Sequence, residues 1–242
     1  MPADTEALRD DPLRRFGLIA LATDMTTEGD AARLMPPGTA LHVTRIAFDN
    51  PTTPDNLRAT GPRLRDAAGL LLPGLPLAGI GFACTSAGAV LGDDLAPLIG
   101  DNRAPITTPG SGALRALRAM GLTRIGLMTP YLPETTAPVA RWFADRGITI
   151  TNTQSMGYAD DRDMARLGDA AVIKAALAAD HPDAQAIFLS CTALPALPVI
   201  PRLEQMLGKP VLSANLAMFW AMLDQARLPV AGPYELMRWR TW

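Results

Sequence analysis

The two cysteines of this 242-residue chain occupy matching settings, "GIGFACTSAG" at residues 79–88 and "AIFLSCTALP" at 186–195. In each an apolar run ends in Cys-Thr and gives way to a turn. A thiol so placed is poised for acid–base or nucleophilic work, because ligands of a parallel sheet bind beyond the carboxyl ends of its strands. After Cys84 the residues "TSAGAVLGDDL" begin a helix, whose free N–H groups and positive dipole end favour a thiolate and a bound carboxylate. The sequence therefore predicts one cysteine ionised near neutral pH and its partner protonated, the pair titrating in coupled steps. Packing is the competing role, since free cysteine is among the most buried residue types. A structural disulfide is disfavoured by a cytosolic setting and by two separate lobes.

Other chemistries lack a candidate set. The segment "GIGFAC" has two glycines of a dinucleotide fingerprint but a cysteine at the third position, and it lies within a strand pattern. There is no P-loop, no CxxC pair and no HExxH, and the only histidines are His42, in a strand pattern, and His181, in the turn "ADHPDA". With 22 Lys plus Arg against 24 Asp plus Glu, the net charge of −2 offers no basic field for nucleic acid or anionic lipid. The first twenty residues lack the basic start and apolar stretch of a signal peptide, so a cytoplasmic protein with reduced thiols is expected. Residues 67–92 carry no charge and are long enough to span a bilayer, but Pro73, Pro76 and the glycines at 69, 74, 79, 81 and 88 break the run. They read as a loop, a buried strand and a helix start.

The elements that must position the cysteines follow from periodicity. Continuous apolar runs begin at 16, 40, 77, 124, 148, 186 and 209, and between them lie helical patterns such as "SGALRALRAMG" from 111, "APVARWFADRG" from 137 and "DMARLGDAAVIKAALAAD" from 163. Alternating strand and helix predicts an α/β fold with mostly parallel sheets flanked by helices. Ser111 is a candidate helix cap, and Gly121 and Gly147 candidate helix ends. The cysteine segments fall at equivalent places in two successive series. This predicts two similar lobes, 1–110 with Cys84 and 111–210 with Cys191. A tail, 211–242, carries the amphipathic helix "ANLAMFWAMLDQARL" and packs back on the first lobe.

The paired "ACTSAG" and "SCTALP" segments resemble the aspartate/glutamate racemase superfamily. The blocks "ATDMTTEGDAARLMP", "LMTPYLPETT", "DDRDMARLGD" and "SANLAMFWAML" resemble its branch of maleate isomerase, arylmalonate decarboxylase and the ectoine-utilisation protein. The resemblance implies lobes related by a pseudo-twofold axis, substrate enclosed between catalytic Cys84 and Cys191, and neither metal nor organic cofactor. It implies a carboxylate cradle made by Thr85, Ser86, Tyr131 and Thr192. It also implies that decarboxylases of the branch need only the second cysteine, so the presence of both favours epimerisation or cis-trans isomerisation. A homo-oligomer stays open.

Two positions depart from the pattern. Asp24 in "ATDMTTE" stands where maleate isomerases have an asparagine that helps hold a substrate carboxylate, and Asp161 in "ADDRDMARL" replaces a second one. An ionised aspartate repels a carboxylate and pairs with a cation. The departures point away from maleate and towards a zwitterion, for which the resemblance to the ectoine-utilisation protein implies hydroxyectoine or a derivative. Capping of the following turn or helix is the alternative role for either Asp.

Overall fold

The computed structural model describes residues 12–100 and 103–242, so the first eleven residues of the stretch read for a signal peptide lie outside the described residues. The first half contains β1 (Arg14–Leu21), α1 (Thr27–Leu34), β2 (Thr39–Ile46), α2 (Pro54–Arg58), α3 (Leu64–Gly69), β3 (Gly79–Ala83), α4 (Thr85–Leu91), α5 (Leu95–Ile99) and β4 (Ile106–Thr107). The second contains α6 (Pro109–Ala119), β5 (Arg124–Tyr131), α7 (Pro133–Ala144), β6 (Thr149–Tyr158), α8 (Asp161–Met164), α9 (Asp169–Ala178), β7 (Ala186–Leu189), α10 (Ile200–Leu207), β8 (Val211–Ser213) and α11 (Ala214–Gln225).

Two four-stranded sheets form, in the orders β2-β1-β3-β4 and β6-β5-β7-β8, and every strand pairing among the described residues is parallel. The same order appears twice, as a pseudo-twofold relation requires. The central strands β3 and β7 are buried along their whole length, which is why their sequences are continuous rather than alternating apolar runs. Helices flank both sheets. No helix among the described residues is long and apolar enough to cross a membrane.

Four local features differ from the sequence expectation. Thr108, not Ser111, caps α6: the Ser111 N–H donates to Thr108 Oγ1 at 3.0 Å, and the Thr108 N–H donates back to Ser111 Oγ at 2.9 Å. This reciprocal box places Pro109 in the first turn, where its missing N–H costs nothing. The helical pattern from 163 splits into α8 and α9, with extended backbone at Gly168 starting the second helix. The helix α11 is not amphipathic but buried on every side from Ala214 to Asp224, because it is wedged among α6, α1 and β3. Strand β8 falls past residue 210 and completes the second sheet.

Candidate active site

The four central strands end at the same level of the molecule, and each delivers a polar group there. Strand β1 runs into Thr23 and Asp24, β3 into Cys84, β5 ends on Tyr131, and β7 runs into Ser190 and Cys191. A narrow cavity lies between these ends. Cys84, Thr85, Ser86, Tyr131, Cys191 and Thr192 line it, together with Asp24 and Asp161. All eight site candidates from the sequence thus meet at one place. Leu21, Phe48, Thr52 and Ala193 complete the wall, and isolated apolar residues and a loop threonine of this kind carry no signal of their own in sequence.

Both thiols are buried and free. Cys84 caps α4, its Sγ accepting the Ala87 N–H at 3.5 Å with Ser86 Oγ 3.7 Å away. Burial nevertheless pushes its thiol up to about 11. No α-helix begins at Cys191. Burial pushes that thiol up to about 12, against the opposing effects of the Tyr131 hydroxyl and the Ala193 N–H. The expectation of an ionised cysteine near neutral pH is therefore not met in the free protein: desolvation outweighs the helix start. Cys191 also has a backbone φ of +104°, a conformation L side chains rarely adopt and one that needs support from its surroundings. Its Sγ touches the sulfur of the buried Met164 at 4.0 Å.

The cradle residues divide into free and engaged donors. Thr85 Oγ1 is buried without a hydrogen-bond partner, so Thr85 has a donor to offer a ligand. Tyr131 is buried, and its phenol is pushed well above its ordinary range by desolvation. Thr192 is engaged: its hydroxyl donates to the carbonyl of Ala83 at 3.0 Å, tying the turn of one cysteine to the strand end of the other.

Asp24 does what its alternative role required. Its Oδ1 accepts the N–H groups of Thr26 and Thr27 at 2.8 and 2.9 Å, and its Oδ2 accepts the Thr27 hydroxyl at 2.6 Å. Burial raises its carboxyl above the usual range despite these bonds. Asp161 is not a cap, since Asp160 holds that position and accepts the Arg162 N–H at 2.9 Å. Its carboxylate instead accepts the Asn50 amide at 2.8 Å and the Thr23 hydroxyl, two groups of the other lobe. Sequence reasoning missed Asn50 because nothing about a loop asparagine announces which distant loop it will meet.

Two lobes of one topology, with a buried thiol at the same strand end in each, define a class of cleft protein built for small ligands. The sequence profile of the arylmalonate decarboxylase family matches residues 88–235, more than half of the chain, and the chain belongs to that family. Over 130 residues it is 35% identical to the arylmalonate decarboxylase of Bordetella bronchiseptica, an alignment spanning 53% of each protein. Over 238 residues it is 27% identical to the maleate isomerase of Nocardia farcinica, covering 91% of this chain and 93% of that one. The structure of the N. farcinica maleate cis-trans isomerase bound to TRIS superposes with a TM-score of 0.83 at 25% identity, over 93% of this chain and 98% of that one. The resemblance to the maleate isomerase and arylmalonate decarboxylase branch therefore holds across both lobes.

Proposed function

We propose that this protein is a cofactor-independent isomerase that creates and quenches negative charge beside the carboxylate of a small substrate, with Cys84 and Cys191 as its reacting groups. The observation that carries this reading is the convergence of both thiols, the unpartnered Thr85 hydroxyl, Ser86 and Tyr131 on one buried pocket. Breaking a bond next to a carboxylate spreads charge onto its oxygens, and one well-aimed donor contributes roughly 3 to 4 kcal/mol there.

The high thiol pKa values suit proton delivery, and they make the reactive form the minority one in which a single thiol has released its proton to solvent. In a two-base epimerisation the Cys84 thiolate of that form takes the proton from carbon and becomes a thiol. The Cys191 thiol gives its proton to the opposite face and becomes the thiolate, so one proton enters the substrate for each that leaves. In cis-trans isomerisation a thiolate adds to the double bond, the new single bond rotates, and the thiolate is expelled. Loss of CO2 from an arylmalonate needs one thiol only, to protonate the enediolate left behind.

Asp24 and Asp161 favour a substrate with a cationic end, because no Lys, Arg or His lines the pocket to balance a second carboxylate. On this ground a zwitterion such as hydroxyectoine, in ectoine breakdown, is proposed ahead of maleate or an arylmalonate. Incubation in D2O with hydroxyectoine, ectoine, aspartate, maleate and an arylmalonate, following deuterium uptake, isomerisation and CO2 release, tests the reading. Turnover of maleate with no binding of any zwitterion restores a maleate isomerase, and CO2 release alone a decarboxylase. Zwitterion binding with no exchange makes this a non-catalytic binding protein.

A further inference from the structure

The block "SANLAMFWAML" resembles the family, yet its helix α11 contributes nothing to the pocket wall. Its second residue, Asn215, is 1% exposed and reaches toward the Cys191 turn from behind. The amide Nδ2 donates to the Thr192 carbonyl at 2.9 Å and to Asp30 Oδ2, also at 2.9 Å. Its Oδ1 lies 3.3 Å from the Thr27 hydroxyl, which is already committed to Asp24.

The grip on the Thr192 carbonyl reaches the reacting sulfur through the peptide plane. That carbonyl and the Ala193 N–H are two ends of one planar unit, so fixing the oxygen fixes the direction of the hydrogen. Ala193 lines the pocket beside Cys191, and its N–H favours the Cys191 thiolate against the effect of burial. A Cys191 φ of +104° persists only where the surroundings hold it. Three other contacts hold the turn: Thr192 Oγ1 to the Ala83 carbonyl, Thr26 Oγ1 to the Ala193 carbonyl at 2.7 Å, and the Leu194 N–H to the Cys191 carbonyl at 3.4 Å. None of them touches the Thr192 oxygen.

We propose that Asn215 is a positioning residue: held by Asp30, it locks the Thr192–Ala193 peptide and with it the turn that carries the Cys191 sulfur. Asp30, 3% exposed on α1, orients the amide by accepting its other hydrogen. The position and ionisation of Cys191 thus depend on a pair of residues outside the pocket, one from each end of the chain.

Three variants separate positioning from packing. Asp30→Asn keeps an acceptor for Asn215 and leaves the peptide clamp intact. The double variant Asp30→Asn with Asn215→Asp preserves shape, charge count and the bond between the two residues, but sets an acceptor against the Thr192 carbonyl. Asp30→Asn with Asn215→Ala removes the donor without adding charge at 215. Circular dichroism checks folding, and iodoacetamide labelling against pH, read cysteine by cysteine by mass spectrometry, reports on the thiols. In Asp30→Asn both labelling profiles should match native protein. In both double variants Cys191 should label about tenfold more slowly at a given pH while Cys84 is unchanged, since losing an N–H donor disfavours one thiolate alone. Turnover should fall by about 100-fold in kcat with little change in KM, the cost of a reacting group misplaced by about 1 Å. That last arm rests on the two-thiol reading and the labelling arm does not. A Cys191-selective labelling change without measurable native turnover counts against that reading and leaves Asn215 assigned. Equal changes at both cysteines, no change at Cys191, or double variants that fail to fold where Asp30→Asn folds would each overturn the proposal and leave Asn215 a packing residue.

Discussion

Cys84 and Cys191 illustrate how a residue's setting can reverse the chemistry its neighbours in sequence suggest. A helix start favours a thiolate, but both sulfurs are buried, and the neutral form wins. Both thiols of the ligand-free protein should therefore react slowly with iodoacetamide at neutral pH, speeding up only as pH rises past about 9, with Cys84 reacting ahead of Cys191. A fast-reacting cysteine at pH 7 would contradict this. In catalysis, Cys191→Ala should lower every activity of the site by about 100-fold or more, the usual scale for losing a positioned proton donor. Cys84→Ala should do the same to epimerisation or isomerisation while sparing decarboxylation, which steady-state rates on each substrate check. Asp24→Asn tests the charge of the pocket. The amide oxygen can keep the Thr26 and Thr27 N–H bonds, and the Thr27 hydroxyl can turn to Asn215 Oδ1, so the variant should fold. Calorimetric titration should then show weaker binding of hydroxyectoine by about tenfold or more, each tenfold being about 1.4 kcal/mol, and better tolerance of maleate.

At the scale of elements, the cleft depends on how α6 and α11 seat against each other. Gly112 of α6 faces α11 so closely that a Cβ there would stand 2.5 Å from the Ala217 carbonyl oxygen and 3.0 Å from Met218 Cα. Backbone cannot move aside as a flexible side chain can. Gly112→Ala should cost about 3 kcal/mol, the upper end of overpacking effects, despite the better helix propensity of alanine. Urea denaturation should show a lower midpoint with an unchanged slope. Because α11 also carries Asn215, activity in this variant should fall further than the loss of folded protein explains.

For the molecule as a whole, the polar layer between the lobes couples stability to pH. Burial pushes Asp30 up to about 6, with the Asn215 amide opposing and the charge of Asp24 reinforcing the shift. A carboxyl raised on folding binds its proton more tightly in the folded chain. Its contribution thus favours the fold below about pH 4 and is lost as pH rises through about 6. Asp30→Asn stays neutral throughout, so it should match native protein near pH 4 and exceed it above pH 6 by an amount on the order of 2 kcal/mol. Thermal melts of the two proteins across that range check the sign.

Much of this architecture was legible before any coordinates. Strand and helix periodicity identifies seven of the eight strands: central ones such as β3 and β7 are apolar throughout because both faces are buried, while the edge strands β2 and β6 stay half-buried and carry polar residues. The repeated Cys-Thr endings mark the two strand ends where chemistry gathers. Strand β4 escapes notice because two residues carry no period. Thr108 replaces Ser111 as a cap because both can do the work, and only the path of the chain chooses between them. Local pattern also brings Asp24 and Asp161 to attention, but their partners are a matter of folding. Asp24 turns inward onto the helix that follows it, whereas Asp161 meets Thr23 and Asn50 from the other lobe. The same holds for Asn215 behind Cys191 and for Thr192 against Ala83. Sequence determines what each strand end carries, since strand ends are local. Tertiary structure decides which ends face each other and how deeply they are buried, and that burial is what keeps both thiols protonated.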